Sequence, residues 1–148
     1  MSPKELHAKV TEDHAELRAR LTRVEELAHS VCAGQPAHSD LAREAAGLAG
    51  FLFGHMKLEE GSTEILLDTD AYGEERVRQM NQHHETQSAD LCELLERVRR
   101  SDADPRPLAE LVLHLVKETR EDMKWEEENL FSAELLRDDV VGVGVFTG

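Results

Sequence analysis

Four amphipathic segments, the short turn-rich breaks between them and an aromatic content of only 4% predict an all-α protein, an antiparallel up-down-up-down four-helix bundle. Apolar residues recurring at helical spacing give each segment one face to bury. Short connections force consecutive helices to run in opposite directions. With so few aromatic rings, the core is expected to be mainly Leu, Val and Ala at coiled-coil-like spacing. The 148 residues are expected to form one bundle domain over 1–137, large enough to bury a core without staples. An apolar, glycine-rich tail over 138–148 follows it.

The first helix opens on Ser2-Pro3-Lys4-Glu5, a capping box with proline at the first helical position. Its seam is Leu6, Val10, His14, Leu17, Leu21, Val24 and Ala28, and it is expected to end near Gly34. After the turn Gly34-Gln35-Pro36-Ala37-His38, Ser39 can cap a second helix with the seam Leu41, Ala45, Leu48, Leu52, His55 and Glu59. That helix is expected to end between Gly61 and Asp70, where the periodicity fades. The third helix should run from about Glu74 to Arg100, with Val77, Met80, His84, Leu91, Leu95 and Val98 within about 40° of one line. Asp104 as N-cap and Pro105 as first residue start the fourth helix, whose seam is Leu108, Leu111, Leu115, Asp122, Glu126 and Ala133. It is expected to end near Arg137, before a stretch too rich in glycine to continue it.

The formal net charge of −14 argues against nucleic acid as a partner, because tracking a phosphate backbone needs clustered Lys and Arg. Cys32 and Cys92 lie far apart with no zinc or redox spacing, so buried, reduced thiols and a reducing cytoplasm are expected. Met1-Ser2-Pro3-Lys4-Glu5 has no apolar signal core, and no apolar run approaches the roughly 20 residues a bilayer span requires. A soluble, cytoplasmic protein is the expectation.

Polar groups interrupt the apolar line of every helix. Two short stretches echo each other, His55-Met56-Lys57-Leu58-Glu59-Glu60 and Asp122-Met123-Lys124-Trp125-Glu126-Glu127. Each places a metal-capable side chain four residues before a glutamate, about 40° apart on a helix and therefore on one face. His14 precedes the first stretch and His84 the second, so the order is a doubled unit. Burying such groups unpaired costs several kcal/mol, and six of them in one core point to a shared partner. Helix rise places His14 about 17 Å and His55 about 24 Å along their helices, and His84 about 15 Å and Asp122 about 26 Å along theirs. On antiparallel helices these heights correspond. Three histidines and three carboxylates from four helices suit a dinuclear site of the di-iron or di-manganese type, and spacing alone does not choose iron over manganese or zinc.

On these residues the sequence resembles the hemerythrin-like domains of the HHE cation-binding family over about residues 1 to 137. The family pattern is a histidine in the first helix, His-x-x-x-Glu in the second, a histidine in the third and His-x-x-x-Glu in the fourth, followed by a Leu-Phe-Pro-like end. The chain carries His14, His55 with Glu59, His84, and Glu126 followed by Leu130-Phe131-Ser132. The resemblance implies two non-heme iron ions, with Glu59 and Glu126 as bridges and dioxygen, another small diatomic or a peroxide as ligand. Asp122 departs from the pattern, standing where the family usually has histidine. An oxygen ligand makes the site harder and more anionic, favours the oxidised metal and weakens the expectation of reversible dioxygen carriage.

His114 with Glu118 is a competing His-x-x-x-Glu, but it lies about 12 Å along the axis from Asp122 and about 80° round, too far for one cluster. Glu118 faces the seam as a candidate outer acceptor or substitute ligand. His7, His29, His38 and His83 are expected at the surface, and Trp125 and Phe131 in the core. The function expected is a non-enzymatic iron-binding module that binds or senses dioxygen, nitric oxide or iron. The alternative is a redox enzyme using the same centre for peroxide removal or ferrous oxidation, and a third class is a metal-free helical interaction module.

Overall fold

The computed structural model describes residues 1–68 and 73–137. Among the described residues the helices are α1 (Pro3–Cys32), α2 (His38–Glu60), α3 (Thr63–Leu67), α4 (Gly73–Arg100) and α5 (Arg106–Asn129), and no strand occurs. α1 packs on α2 and α5, and α4 packs on the same two, so the four long helices form a square of consecutive neighbours. The short α3 lies on α4. This is the all-α bundle expected from the sequence. The tail over 138–148 lies outside the described residues.

α1 starts where its chemistry dictates. Ser2 Oγ accepts from Glu5 N at 3.1 Å and Glu5 Oε2 accepts from Ser2 N at 3.1 Å, so the box satisfies two otherwise unpaired donors. All seven expected seam residues of α1 and all six of α2 are buried. Helix boundaries differ in detail. α2 begins at His38 without a side-chain cap, so Ser39 sits inside it. α5 begins at Arg106, and Asp104 Oδ1 accepts from Arg106 N at 3.1 Å, which leaves Asp104 a capping role one residue outside its expected place.

Two seams are rotated from the expected line. On α4 the buried residues include Val77, Met80, His84, Gln87, Leu91 and Leu94, while Leu95 is 37% exposed. On α5 they include Ala109, Val112, Val116, Thr119, Met123 and Glu126, one residue later than the expected Leu108 and Leu111 and with Met123 rather than Asp122 at the centre. The choice between adjacent apolar residues is made by the partner helices, which helical spacing does not specify. α5 also stops at Asn129 rather than near Arg137. Ending there lets Leu130, Phe131 and Leu136 turn back onto Leu6, Leu66 and Met80, and Ala133, expected in the seam, is exposed. Cys32 and Cys92 are free thiols as expected, but both are exposed rather than buried. Each follows a core residue, Val31 and Leu91, and so points about 100° away from the core.

The core has two parts. The larger contains Leu17, Leu21, Leu41, Leu48, Leu91 and Leu115 among others. The smaller contains Leu6, Val10, Met80, Leu130, Phe131 and Leu136 among others. His14 lies between Val10 and Leu17, His84 between Met80 and Leu91, and Glu126 between Met123 and Leu130. A polar layer therefore divides two apolar ones.

Candidate metal centre

The polar layer brings together five of the six expected residues. His14, His55, Glu59, His84 and Glu126 are each no more than 4% exposed. Their ring nitrogens and carboxylate oxygens turn toward one point because each sits on the buried line of its helix, flanked by apolar residues that fix its rotamer. His14 Nε2 and His55 Nε2 are 3.1 Å apart. Glu59 Oε2 lies 3.2 Å from His55 Nε2 and 3.8 Å from His14 Nε2, and its Oε1 lies 3.0 Å from His84 Nε2. Glu126 lies 3.6 Å from His14 through Oε2 and 3.4 Å from His84 through Oε1. One ligand atom each of His14, His55, Glu59 and Glu126 falls within 4.8 Å of all the others.

Asp122, the sixth, lies one turn before Glu126 on the flank of α5 that faces α4. Its Oδ2 accepts from Gln87 Nε2 at 2.6 Å, and its Oδ1 lies 3.8 Å from His83 Nδ1. The rotation of the α5 seam toward Met123 explains this placement. His114 is on the outside, 54% exposed, with Nε2 3.6 Å from Asp90. Glu118 is half-buried. His83, expected at the surface, is half-buried with its ring edge-on to Trp125 at 5.0 Å.

Sequence reasoning missed three carboxylates that touch the other nitrogens of the histidines. Asp13 Oδ2 is 2.9 Å from His55 Nδ1, Glu60 Oε1 is 3.2 Å from His84 Nδ1, and Glu127 Oε2 is 2.9 Å from His14 Nδ1. Arg18 in turn donates to Glu127 Oε1 at 2.5 Å. The available signal was adjacency, since each of these carboxylates is next in sequence to a seam ligand.

Electrostatics follow from this crowding. Burial pulls the His14 imidazole down, but Glu126, Glu59 and Glu127 outweigh it and hold it up at about 10. Burial likewise opposes His84, and Glu126 and Glu59 hold it at about 10. His55 is raised by Glu59 and Asp13 against its burial. Burial works to raise Glu59 as well, yet three facing histidines keep it well below the usual carboxylate range. Glu126 is pushed up by burial and by the charge of Glu59. Two buried carboxylates of unequal acidity among three basic imidazoles form a set that protons satisfy only in part: Glu59 Oε2 is buried and makes no hydrogen bond. Imidazole nitrogens with carboxylate oxygens are a donor set that fits iron, manganese or zinc.

Two clefts open on the surface of the bundle. One of about 390 Å³, lined by His38, Arg97, Asp104 and Leu108 among others, sits at the end of the bundle that holds the α1–α2 and α4–α5 turns. A shallow one lined by Lys9, Glu12, Asp13, Glu16 and Phe51 reaches the edge of the cluster at Asp13. None of the helices among the described residues is long and apolar enough to cross a membrane.

A buried histidine and glutamate layer supplied by four helices is the mark of a metal-binding bundle. The chain belongs to the hemerythrin HHE cation binding domain family, whose pattern matches residues 5–134. No curated protein and no solved structure matches it. Family and cluster together fit a metal-binding protein.

Proposed function

We propose that the chain holds a non-heme di-iron centre on His14, His55, Glu59, His84, Asp122 and Glu126, and uses it to bind or sense dioxygen, nitric oxide or iron itself. The observation that carries this reading is the span of the two glutamates. Each turns one oxygen toward His14 or His55 and the other toward His84. A carboxylate placed between separate imidazoles is suited to bridge two cations. His14 and His55 would then serve one ion, and His84 with Asp122 the other. Bound iron supplies a redox-active centre with affinity for small ligands. The chain contributes a fixed donor set, and apolar layers on either side exclude bulk water. A net charge of −14 supports a small-molecule rather than a nucleic-acid partner, and free thiols support a reducing cytoplasmic setting.

Asp122 favours a second reading. A third carboxylate, were Asp122 drawn from Gln87 onto the metal, would stabilise its oxidised state, which suits a redox enzyme that removes peroxide or oxidises ferrous iron. Metal analysis with optical spectra under air, after azide and after peroxide separates the two. About two irons per chain with a lasting azide-dependent band supports the binding or sensing role, and catalytic peroxide loss supports the enzyme. Purified protein that takes up no iron overturns both.

A further inference from the structure

The contacts around the cluster form a closed circuit. Asp13 of α1 reaches His55 of α2, Glu60 of α2 reaches His84 of α4, Gln87 of α4 reaches Asp122 of α5, and Glu127 of α5 reaches His14 of α1. The circuit sets one of its contacts across each of the four helix interfaces of the square. Helix geometry explains the arrangement: three of the four reaching residues are adjacent in sequence to a seam ligand, about 100° round, and therefore point sideways at the neighbouring helix.

The chemistry of each contact matches what it holds. The three histidines face carboxylates, which can accept from Nδ1–H and so free the Nε2 lone pair for a metal. Asp122 is itself an acceptor, and it alone receives an amide that donates. We propose that Asp13, Glu60, Gln87 and Glu127 are positioning residues of the centre, each fixing the tautomer or rotamer of one ligand from the next helix. The inference rests on the metal reading above, and it adds that Gln87 is specific to an aspartate at position 122.

The contacts are graded. Asp13 is 11% exposed and 2.9 Å from its histidine, and Lys9 holds it from behind at 3.1 Å. Glu127 is 35% exposed at 2.9 Å, with Arg18 behind it. Glu60 is 50% exposed at 3.2 Å. Water competes best for the most exposed acceptor, so the effect of removal should fall in the order Asp13, Glu127, Glu60.

The test is the affinity of the full chain for zinc and for anaerobic ferrous iron, by competition with a chromophoric chelator, in Asp13→Ala, Glu60→Ala, Gln87→Ala and Glu127→Ala. Weakening of about 10- to 100-fold is expected for Asp13→Ala, with smaller losses in the stated order. Asp13→Asn, which keeps an acceptor oxygen and the shape of the site, should recover most of that loss and guards against a folding defect. In zinc-loaded protein, ring-nitrogen NMR should show that each carboxylate variant changes the Nδ1–H signal of its own histidine on the next helix and leaves the other two in place. A general structural role would move all three. Gln87→Glu should weaken binding by juxtaposing two carboxylates, and adding Asp122→His to it should restore binding. If wild type binds neither metal, the metal reading falls and takes this inference with it. If wild type binds but the four alanine variants match it within about twofold, or Asp122→His fails to rescue Gln87→Glu, the positioning roles alone are overturned.

Discussion

Both oxygens of Glu59 lie among histidines, Oε1 beside His84 and Oε2 beside His55, so truncating this one side chain disturbs three helices at once. Glu59→Ala and Glu126→Ala are each expected to abolish binding of a second iron, because a bridging carboxylate holds both ions at once. Retention of two tightly held irons by either variant, measured by metal analysis after dialysis, would refute the bridging roles. Each variant also leaves buried imidazoles without their carboxylate, a penalty of about 1–3 kcal/mol that should appear as a lower urea midpoint. Asp122 and His114 test the register of α5 from opposite sides. Asp122→His places a neutral imidazole where the family usually has one, and it should raise the reduction potential and prolong the ferrous state in air, followed by its optical spectrum. His114→Ala removes a half-exposed ring that faces Asp90, and iron content should not change. The reverse pattern, iron lost in His114→Ala with Asp122→His silent, would move the site to His114 and Glu118.

At the scale of the helices, local chemistry and tertiary choice divide clearly. The start of α1 and the seams of α1 and α2 were legible because capping chemistry and helical spacing act within a few residues. The buried polar residues on those helices, His14, His55 and Glu59, were legible for the same reason, as interruptions of a clean seam. On α4 and α5 two apolar lines compete, and contact with the partner helices decides for Leu94 over Leu95 and for Met123 over Asp122. The positioning residues were hidden for a related reason: a side chain about 100° off the seam looks like an ordinary surface residue until the neighbouring helix is in place. The early end of α5 was hidden too, since Leu130, Phe131 and Leu136 gain more by covering Leu6 and Leu66 than by prolonging a helix into solvent. Gly73 shows how closely the elements are fitted. A Cβ there would lie 2.8 Å from Leu66 O and 2.9 Å from Leu67 O, both backbone atoms of α3. Replacing glycine by alanine inside a helix ordinarily gains about 0.5–1 kcal/mol, but this clash forces α3 and α4 apart at a typical cost of about 1–3 kcal/mol. Gly73→Ala should therefore lower the urea midpoint, and an unchanged or higher midpoint would show that α3 yields freely.

For the molecule as a whole, stability should depend on pH without metal and hardly at all with it. In the metal-free protein His14 and His84 are held at about 10 against an ordinary 6.5, so they bind more protons folded than unfolded. Their contribution is fully present below about pH 6.5 and is lost as the pH rises toward 10. Glu59, held well below 4.5, contributes above that value and loses its contribution as the pH falls. Glu126, raised by burial and by Glu59, works against Glu59 on the acid side and reinforces the loss on the alkaline side. The metal-free bundle should thus be most stable in mildly acidic solution and weaken steadily through neutrality. A metal ion takes the place of those protons, so binding releases them and strengthens as the pH rises. Metal bound only to the folded state stabilises it by mass action. The gap in melting temperature between loaded and chelator-treated protein should accordingly widen between about pH 6 and about pH 9, with the metal-free curve falling and the loaded one nearly level. The same pair of melting curves recorded on Glu59→Ala should lose most of the gap, because the carboxylate that raises all three histidines is gone. A gap that stays constant with pH in the wild type would mean that protons and metal do not compete for these imidazoles, and that the ion binds somewhere other than the polar layer.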